Sequence, residues 1–201
     1  RKEMHKNIAV LAGDGIGSEI ITEAIKVLQA VAKKYHQSFT YEHALIGAAA
    51  IDETGNPLPD KTLEICKSSD AILFGAIGDP KYDNDPNAKV RPEQGLLALR
   101  KAFNLFCNVR PVTIYDSLID SSPLKRNRIE GVDLVIYREL TGGIYFGEKK
   151  EMNDKGVASD LCTYSKEEIL RVAHLAFKAA GKRKNKLTLV DKANVLASSR
   201  L

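Results

Sequence analysis

A short apolar run followed at once by a glycine-rich turn restricts the fold of this chain more than any other feature. Residues 8–12 read IAVLA, residues 13–17 read GDGIG, and apolar side chains then recur at helical spacing to about Tyr35. A continuous apolar run of this length is typical of a strand covered on both faces. The order predicts a β-turn-α unit whose helix is capped by Ser18.

The rest of the chain continues this alternation of strands and helices. Further strands are predicted over residues 39–46, 71–74, 108–115, 132–137 and 187–190, and helices over residues 60–67, 93–104 and 165–180. The strands at 71–74, 132–137 and 187–190 are rich in apolar residues, and we expect them to be buried. The alternation predicts an α/β fold with a mainly parallel sheet.

Two irregular stretches carry further information. Residues 78–92 are rich in Asp, Asn, Pro, Lys and Gly, and a loop of this length inside a compact domain is usually functional. Residues 197–201 resemble the start of a helix, but too few residues follow to build one stable turn. We therefore expect the natural protein to continue.

Composition indicates an ordinary globular protein. The chain has 201 residues, 44% of them hydrophobic, and 30 Lys and Arg against 26 Asp and Glu give a net charge of +4. This length predicts one or two domains with a packed core. No apolar run approaches the roughly 20 residues that a membrane helix needs, so we expect a cytoplasmic protein without membrane contact.

Neither the basic residues nor the cysteines indicate a special site. The basic run at residues 182–186 follows a predicted helix, and the chain has no Trp for base stacking, so a solvated surface is favoured over nucleic-acid binding. Cys66, Cys107 and Cys162 are far apart and odd in number. This pattern disfavours disulfides and zinc, and we expect each thiol to be structural.

The glycine turn by itself does not predict a dinucleotide site. The fingerprint G-x-G-x-x-G requires a third glycine where Ser18 stands, and an acidic residue about 20 positions later is also missing. Taken alone, the glycines favour a tight structural turn.

Three arginines are candidates for binding an acidic ligand. Arg100, Arg110 and Arg138 each carry a fork that matches a carboxylate, and together they would suit a small di- or tricarboxylate. Salt bridges to acids such as Glu139 are the alternative interpretation.

Lys192 is a candidate general base. It follows the predicted strand at 187–190, and ligands of open α/β sheets gather beyond the carboxyl ends of strands. An amine can accept a proton only if burial or nearby positive charge lowers its pKa. An ordinary surface lysine is the alternative interpretation.

Read together, five segments resemble the signatures of the β-decarboxylating dehydrogenases, the isocitrate/isopropylmalate dehydrogenase family. They are GDGIGSE at 13–19, RPEQGLL at 91–97, NVRP at 108–111, RELTGGIYFG at 138–147 and DKANV at 191–195. The resemblance spans the whole chain. It implies the two-domain α/β fold of that family, which differs from a standard Rossmann fold, here incomplete at the C-terminus. Residues 1–105 would begin a discontinuous first domain, and residues 106–201 would belong to the second, with a dimerisation arm near 152–164.

The resemblance also implies a reaction and its cofactors. Members that act on 3-isopropylmalate are the most similar, which implies NAD-dependent oxidation and decarboxylation to 4-methyl-2-oxopentanoate in leucine biosynthesis. Mg²⁺ or Mn²⁺ would assist, in a homodimer. Metal ligands and adenosine-binding residues are expected beyond Leu201, so we name no metal ligand in this chain and expect it to be inactive in isolation.

Residue roles follow from the motifs of the resemblance. Lys192 would be the general base, acting in the active site of the partner subunit, and Tyr145 would be the acid that protonates the enol carbon. The substrate-binding residues would be Arg100, Arg110, Arg138, Leu96, Leu97 and Val195. The cofactor-binding residues would be Ile16, Gly78, Asp79, Pro80, Glu93 and Asn194. Asp79 departs from the family, which usually has glycine there.

The apolar pair Leu96 and Leu97 favours an isopropyl group, because an extra carboxylate would be left unpaired against it. Malate or tartrate activity is the alternative, since apolar pockets exclude smaller substrates weakly. A non-catalytic fragment or interaction module is a further alternative if the chain is the whole molecule.

Overall fold

The computed structural model describes residues 4–85 and 87–201 of a mixed α/β protein. The chain divides into two compact units, Arg1–Phe103 and Asn104–Leu201. This division lies close to the predicted boundary after residue 105. The identity of the units with the two predicted domains stays a prediction.

A parallel three-stranded sheet forms the centre of the first unit. Strand β1 (His5–Gly13) lies between β2 (Ser38–His43) and β3 (Ala71–Ala76), and both pairings are parallel. The sequence-based expectation of a parallel sheet is confirmed for this unit. All three strands therefore end at one edge, where the following loops lie together.

Helices cover both faces of β1. On one face, Ala9 and Leu11 join a core with residues of α3 (Asp60–Ser68) and α5 (Pro92–Ala102). On the other face, Val10 packs against Ile21 of α1 (Gly17–Tyr35). Complete burial of one such aliphatic side chain contributes about 1.5–3 kcal/mol. Two shorter helices, α2 (Ala48–Thr54) and α4 (Pro80–Asp83), follow β2 and β3.

The predicted cap of α1 is wrong by two positions. The helix begins at Gly17, Ile16 occupies the cap position, and no side chain accepts a hydrogen bond from the first turn. A β-carbon on Gly17 would collide with the carbonyl oxygen of Ala12. Close packing of the helix start on β1, rather than a hydroxyl from Ser18, fixes this end of α1.

The second unit is built on an antiparallel pair. Strand β4 (Cys107–Thr113) pairs with β5 (Asp133–Glu139), and the pairing is antiparallel, unlike the sheet expected from the sequence. The short helix α6 (Arg126–Ile129) precedes β5, and α7 (Lys166–Ala180) packs against it. Between β5 and α7 in the chain, the two-residue strands β6 (Lys149–Lys150) and β7 (Ser159–Asp160) pair as an antiparallel hairpin.

Two expectations for the second unit are wrong. The strand predicted at 132–137 is covered on one face only, because Leu134 and Ile136 are exposed while Val135 and Tyr137 are half-buried. The segment predicted as a buried strand at 187–190 forms no strand in the described chain. Leu189 and Val190 are 81% and 89% exposed. An apolar run of four residues does not specify the partner strand that burial requires.

Other local predictions are confirmed. Ser165 accepts a hydrogen bond from the Glu168 amide at 3.2 Å, and the Glu168 carboxylate accepts one from the Ser165 amide at 2.7 Å, which completes the capping box of α7. The basic run at 182–186 is exposed, and Arg183 and Lys184 pair with Asp133. Within residues 4–85 and 87–201, no helix is both long and apolar enough to cross a bilayer.

Candidate functional site

Asp14 organises the loops at the carboxyl edge of the parallel sheet. Its carboxylate is 6% exposed and accepts hydrogen bonds from the amides of Ala48 at 2.9 Å, Ala49 at 3.0 Å and Gly78 at 3.0 Å. The Asp14 amide donates to the carbonyl of Ala76 at 2.8 Å. One buried carboxylate therefore joins the segments that follow β1, β2 and β3.

The geometry around Asp14 depends on a glycine. Gly47 has a φ of +76°, and a β-carbon there would overlap the Asp14 carboxylate. Asp14 also supplies the cap of α2, since Gly47 offers no side chain to the first turn of that helix. Sequence reasoning missed this role. The only signal was an acid between two glycines, and its partners lie 34 and more residues away.

The predicted cofactor residues of the first unit lie around the Asp14 loops. Ile16 is exposed in the glycine turn, and Gly78 is held by Asp14. A β-carbon on Gly78 would lie 3.3 Å from the carboxylate of Glu93, so these two residues are neighbours. Pro80 begins α4 directly after Asp79. Four of the six predicted cofactor residues thus lie together, Ile16 lies in the turn that contains Asp14, and Asn194 belongs to the second unit.

Asp79 acts locally where the family usually has glycine. Its carboxylate accepts a hydrogen bond from the Lys81 amide at 2.9 Å, which caps the short helix α4. The side chain is therefore engaged with its own loop.

A second set of contacts ties the loop after β3 to α2. The Asp52 carboxylate accepts hydrogen bonds from the Lys81 ammonium at 2.5 Å and from the Tyr82 hydroxyl at 2.6 Å. These two donors lower the pKa of Asp52, and the same contact raises the pKa of Tyr82. Arg91 donates to the Tyr82 carbonyl at 2.6 Å. The loop between β3 and α5 is therefore held near its start, at Lys81 and Tyr82, and near its end, at Arg91.

The predicted substrate residues of α5 share one face of that helix. Leu96 and Leu97 precede Arg100 by four and three residues, the spacing at which helical side chains are neighbours. Both leucines are half-buried. Leu99, three residues after Leu96, enters the core, and Gly95 packs against the Pro57 carbonyl. These contacts fix α5 on the core of the first unit.

Arg110 and Arg138 share one face of the β4–β5 pair. Asn108 is the direct cross-strand partner of Arg138, and Arg110 follows Asn108 by two residues, so all three side chains leave the same face. The Nε of Arg110 donates to the Asn108 amide oxygen at 2.6 Å. Both arginines are exposed. The register of the two strands therefore places both arginines on one face, in diagonal positions.

Tyr145 lies next to Arg138. The turn after β5 forms a short 3-10 helix, Gly143–Tyr145, and the Arg138 guanidinium lies over the Tyr145 ring, 5.6 Å from its centroid. The Tyr145 side chain is 55% exposed. A guanidinium and a phenol therefore meet at one end of the face that also carries Arg110.

Lys192 occupies a different setting from the one the sequence predicted. It follows an exposed segment rather than a strand, and its own side chain is exposed. Asn194 and Val195 are exposed as well. The argument from a strand end is therefore wrong, and the catalytic role of Lys192 stays a prediction from its motif. Convergence of Arg100, in the first unit, with the residues of the second unit also stays a prediction.

Across residues 4–85 and 87–201, no group of three or more His, Cys, Asp or Glu side chains could hold a metal ion. We therefore assign no metal ligand in this part of the chain. The cysteines are free, and Cys162 is exposed rather than structural as expected, while Cys66 is buried.

Comparisons with known proteins agree with this geometry. The model of the isocitrate/isopropylmalate dehydrogenase family matches residues 7–201. The chain is 54% identical over 198 residues to 3-isopropylmalate dehydrogenase of Bacteroides fragilis, covering 98% of this chain and 56% of the relative. It is 55% identical over 197 residues to the enzyme of the same name from Geobacillus kaustophilus, covering 96% and 53%. The chain thus spans a little over half the length of these curated relatives.

Solved structures give the same result. Isocitrate dehydrogenase from Methylococcus capsulatus superposes with a TM-score of 0.79 at 28% identity, covering 97% of this chain and 54% of that one. A β-decarboxylating dehydrogenase from Thermococcus kodakarensis superposes with a TM-score of 0.68 at 32% identity, covering 97% and 51%.

Proposed function

Because the chain belongs to the isocitrate/isopropylmalate dehydrogenase family, we propose that the full protein oxidises and decarboxylates 3-isopropylmalate, using NAD, to 4-methyl-2-oxopentanoate. The observation that carries this proposal is the face of β4–β5 that Arg110 and Arg138 share, with Tyr145 under the Arg138 guanidinium. Such a face offers two forks for carboxylate or hydroxyl oxygens and a phenolic proton donor.

The side chains of α5 support the choice of substrate. Leu96 and Leu97 flank Arg100 on one helix face, so an apolar surface adjoins a carboxylate-binding group. An isopropyl group suits this surface, whereas a third carboxylate would lose its solvation without gaining a partner. Relatives named 3-isopropylmalate dehydrogenase, at 54–55% identity, also support this substrate.

The proposed reaction assigns a proton step to each of two residues. Bound NAD supplies the hydride acceptor. Lys192 takes the proton of the substrate hydroxyl while a hydride leaves the carbon that bears this hydroxyl, which gives a ketone. The carboxylate on the carbon next to the new ketone then leaves as carbon dioxide, and the electrons of the broken carbon–carbon bond form the enolate. Tyr145 donates its phenolic proton to the carbon that lost carbon dioxide.

The residues around Asp14 would receive the cofactor. Ile16 is exposed in the turn after β1, and Gly78, which Asp14 holds, lies next to Glu93. Ligands of parallel sheets bind at this edge. Divalent metal assistance by Mg²⁺ or Mn²⁺ is part of the proposal through the family, and we assign no step to it because residues 4–85 and 87–201 offer no ligand cluster.

A homodimer in the cytoplasm completes the proposal. The β6–β7 hairpin is exposed along its length and carries Met152, Val157 and Leu161 in the open. A second copy would cover these apolar side chains, and Lys192 would act in the partner subunit's site.

Steady-state kinetics on the purified full-length protein test the proposal. We expect NADH formation with 3-isopropylmalate, NAD and Mg²⁺ or Mn²⁺, and release of 4-methyl-2-oxopentanoate detected by mass spectrometry. The kcat/KM for 3-isopropylmalate should exceed those for malate and tartrate by at least about tenfold, since each methylene contributes about 1–3 kcal/mol in an apolar pocket. A preference for isocitrate, malate or tartrate would contradict the assigned substrate.

A further inference from the structure

A half-buried ion pair lies directly behind the turn that carries Tyr145. The Nη2 atom of Arg171, on α7, donates to the Glu139 carboxylate at 2.9 Å, and the two side chains are 28% and 10% exposed. Glu139 ends β5 and is the neighbour of Arg138 in sequence. Alternating residues of a strand leave opposite faces, so Glu139 lies behind the face that carries Arg138.

Glu139 holds the backbone of the turn. Its two carboxylate oxygens accept hydrogen bonds from the amides of Thr141 at 3.2 Å and Gly142 at 2.8 Å. The Thr141 hydroxyl donates to Glu139 at 3.2 Å and accepts from Arg171 at 2.6 Å. The first residues after β5 are therefore tied to the ion pair through both backbone and side chain.

Arg171 is itself fixed by groups outside the turn. Its Nη1 donates to the Asn104 amide oxygen at 3.2 Å, and its guanidinium lies over the Phe106 ring at 4.9 Å. A planar fork can make these contacts together, whereas the single ammonium of a lysine cannot.

The other side of the turn packs against Tyr164. The Gly143 amide donates to the Thr163 carbonyl at 2.9 Å, and a β-carbon on Gly143 would collide with the Tyr164 side chain, while one on Gly142 would lie 3.1 Å from the Tyr164 ring. Gly143 has a φ of +73°, which favours glycine on backbone grounds as well. Burial raises the pKa of the Tyr164 phenol. The turn is held between Tyr164 and the Glu139–Arg171 pair.

We propose that Arg171 is a positioning residue for the reaction: through Glu139 and Thr141 it holds the turn that places Tyr145 beneath Arg138. This inference rests on the proposed function, in which the Tyr145 hydroxyl must be placed to protonate the enol carbon. Arg171 touches neither reacting group. Loosening it affects protonation of the enol carbon more than oxidation, because only the former step uses Tyr145.

The matched control is an exposed ion pair in the same unit. Arg126 donates to Asp120 at 2.8 Å, and both side chains are more than half exposed. Such a pair contributes little to structure. Arg126→Lys therefore repeats the chemistry of Arg171→Lys at a site that holds no turn.

Hydrogen exchange of the full-length protein gives a readout that is independent of activity. In Arg171→Lys and in Thr141→Val, amides of residues 141–147 should exchange at least about tenfold faster than in the unchanged protein, as expected when a charge-assisted hydrogen bond is lost. Amides of β4 should keep their rates, and Arg126→Lys should change neither. Unchanged protection of residues 141–147 in both variants would overturn the proposal. If Arg171→Lys does not fold, the test rests on Thr141→Val, which adds no charge and keeps the side-chain shape.

Product analysis tests the catalytic consequence. In Arg171→Lys we expect the ratio of released oxidised but undecarboxylated acid to final product to rise at least about fivefold, with the KM for substrate within about threefold of the unchanged enzyme. A looser turn with an unchanged ratio would overturn the positioning role. If the unchanged protein oxidises none of 3-isopropylmalate, isocitrate, malate and tartrate, the proposed function fails. Hydrogen exchange alone then still decides whether Arg171 holds the turn.

Discussion

The guanidinium of Arg138 lies over the ring of Tyr145, 5.6 Å from its centroid. The two residues are seven positions apart in one motif, and the turn between them reverses the chain so that the end of β5 and the 3-10 helix meet. A cation over an exposed aromatic ring contributes about 0.5–1 kcal/mol. Arg138 can therefore orient the proposed acid while its outer edge remains available to a carboxylate.

Replacing Lys192 by methionine in the full-length protein should lower kcat at least about a hundredfold and leave the KM for 3-isopropylmalate within a few-fold. The substitution removes the proton acceptor and keeps much of the apolar stem. Lys186→Met is the control, because Lys186 is also exposed but lies outside the motif. Loss of binding in parallel with turnover would instead identify Lys192 as a carboxylate-binding residue.

Asp14→Ala should reduce the free energy of unfolding by about 3–5 kcal/mol, because three backbone amides lose a charged acceptor in a buried place. Denaturant unfolding measures the change. Asp154→Ala, at an exposed turn, should change stability by less than about 0.5 kcal/mol. Equal effects of the two substitutions would refute an organising role for Asp14.

The contact of Asp52 with Lys81 and Tyr82 should depend on pH. These donors lower the pKa of Asp52, so the folded state favours its charged form. The contact is therefore complete above the ordinary carboxyl pKa and is lost as the pH falls through the lowered value. Hydrogen exchange of residues 79–85 should accelerate in that range, and Asp52→Asn should exchange faster at neutral pH. Glu53→Gln serves as the control, and identical pH profiles for both variants would rule out this tie.

Thiol labelling should report the dimer. Cys162 lies beside the exposed hairpin, and Cys66 is buried with its pKa raised by that burial. In the full-length protein we expect sedimentation as a dimer and slower labelling of Cys162 as protein concentration rises. Cys66 should stay unreactive throughout, because its thiolate is scarce and inaccessible. A fully active monomer would also exclude action of Lys192 across subunits.

The sequence predicted elements whose determinants are local. The apolar run at 8–12, its glycine turn and the capping box at Ser165 each need only neighbouring residues, and all three are present. Helix α2 was missed because its cap is Asp14, 34 residues earlier. A local pattern cannot show such a partner.

The contacts of the site that could not be predicted from the sequence also join residues far apart in the chain. The motif at 138–147 pointed to Arg138 and Tyr145, but the contribution of Arg171 depends on α7 returning to β5, 32 residues after Glu139. The failed strand at 187–190 shows the converse, since an apolar run specifies a strand only where another strand pairs with it.

Product partitioning in Tyr145→Phe tests the central claim most directly. The variant keeps the ring beneath Arg138 and removes the proton donor, so Tyr115→Phe, at another exposed tyrosine, is the matched control. With 3-isopropylmalate and NAD, the Tyr145→Phe enzyme should still form NADH but release the oxidised, undecarboxylated acid in excess over 4-methyl-2-oxopentanoate, as quenched-flow mass spectrometry would show. Undiminished formation of 4-methyl-2-oxopentanoate at the rate of the unchanged enzyme would contradict the assignment of Tyr145 and the function built on its position.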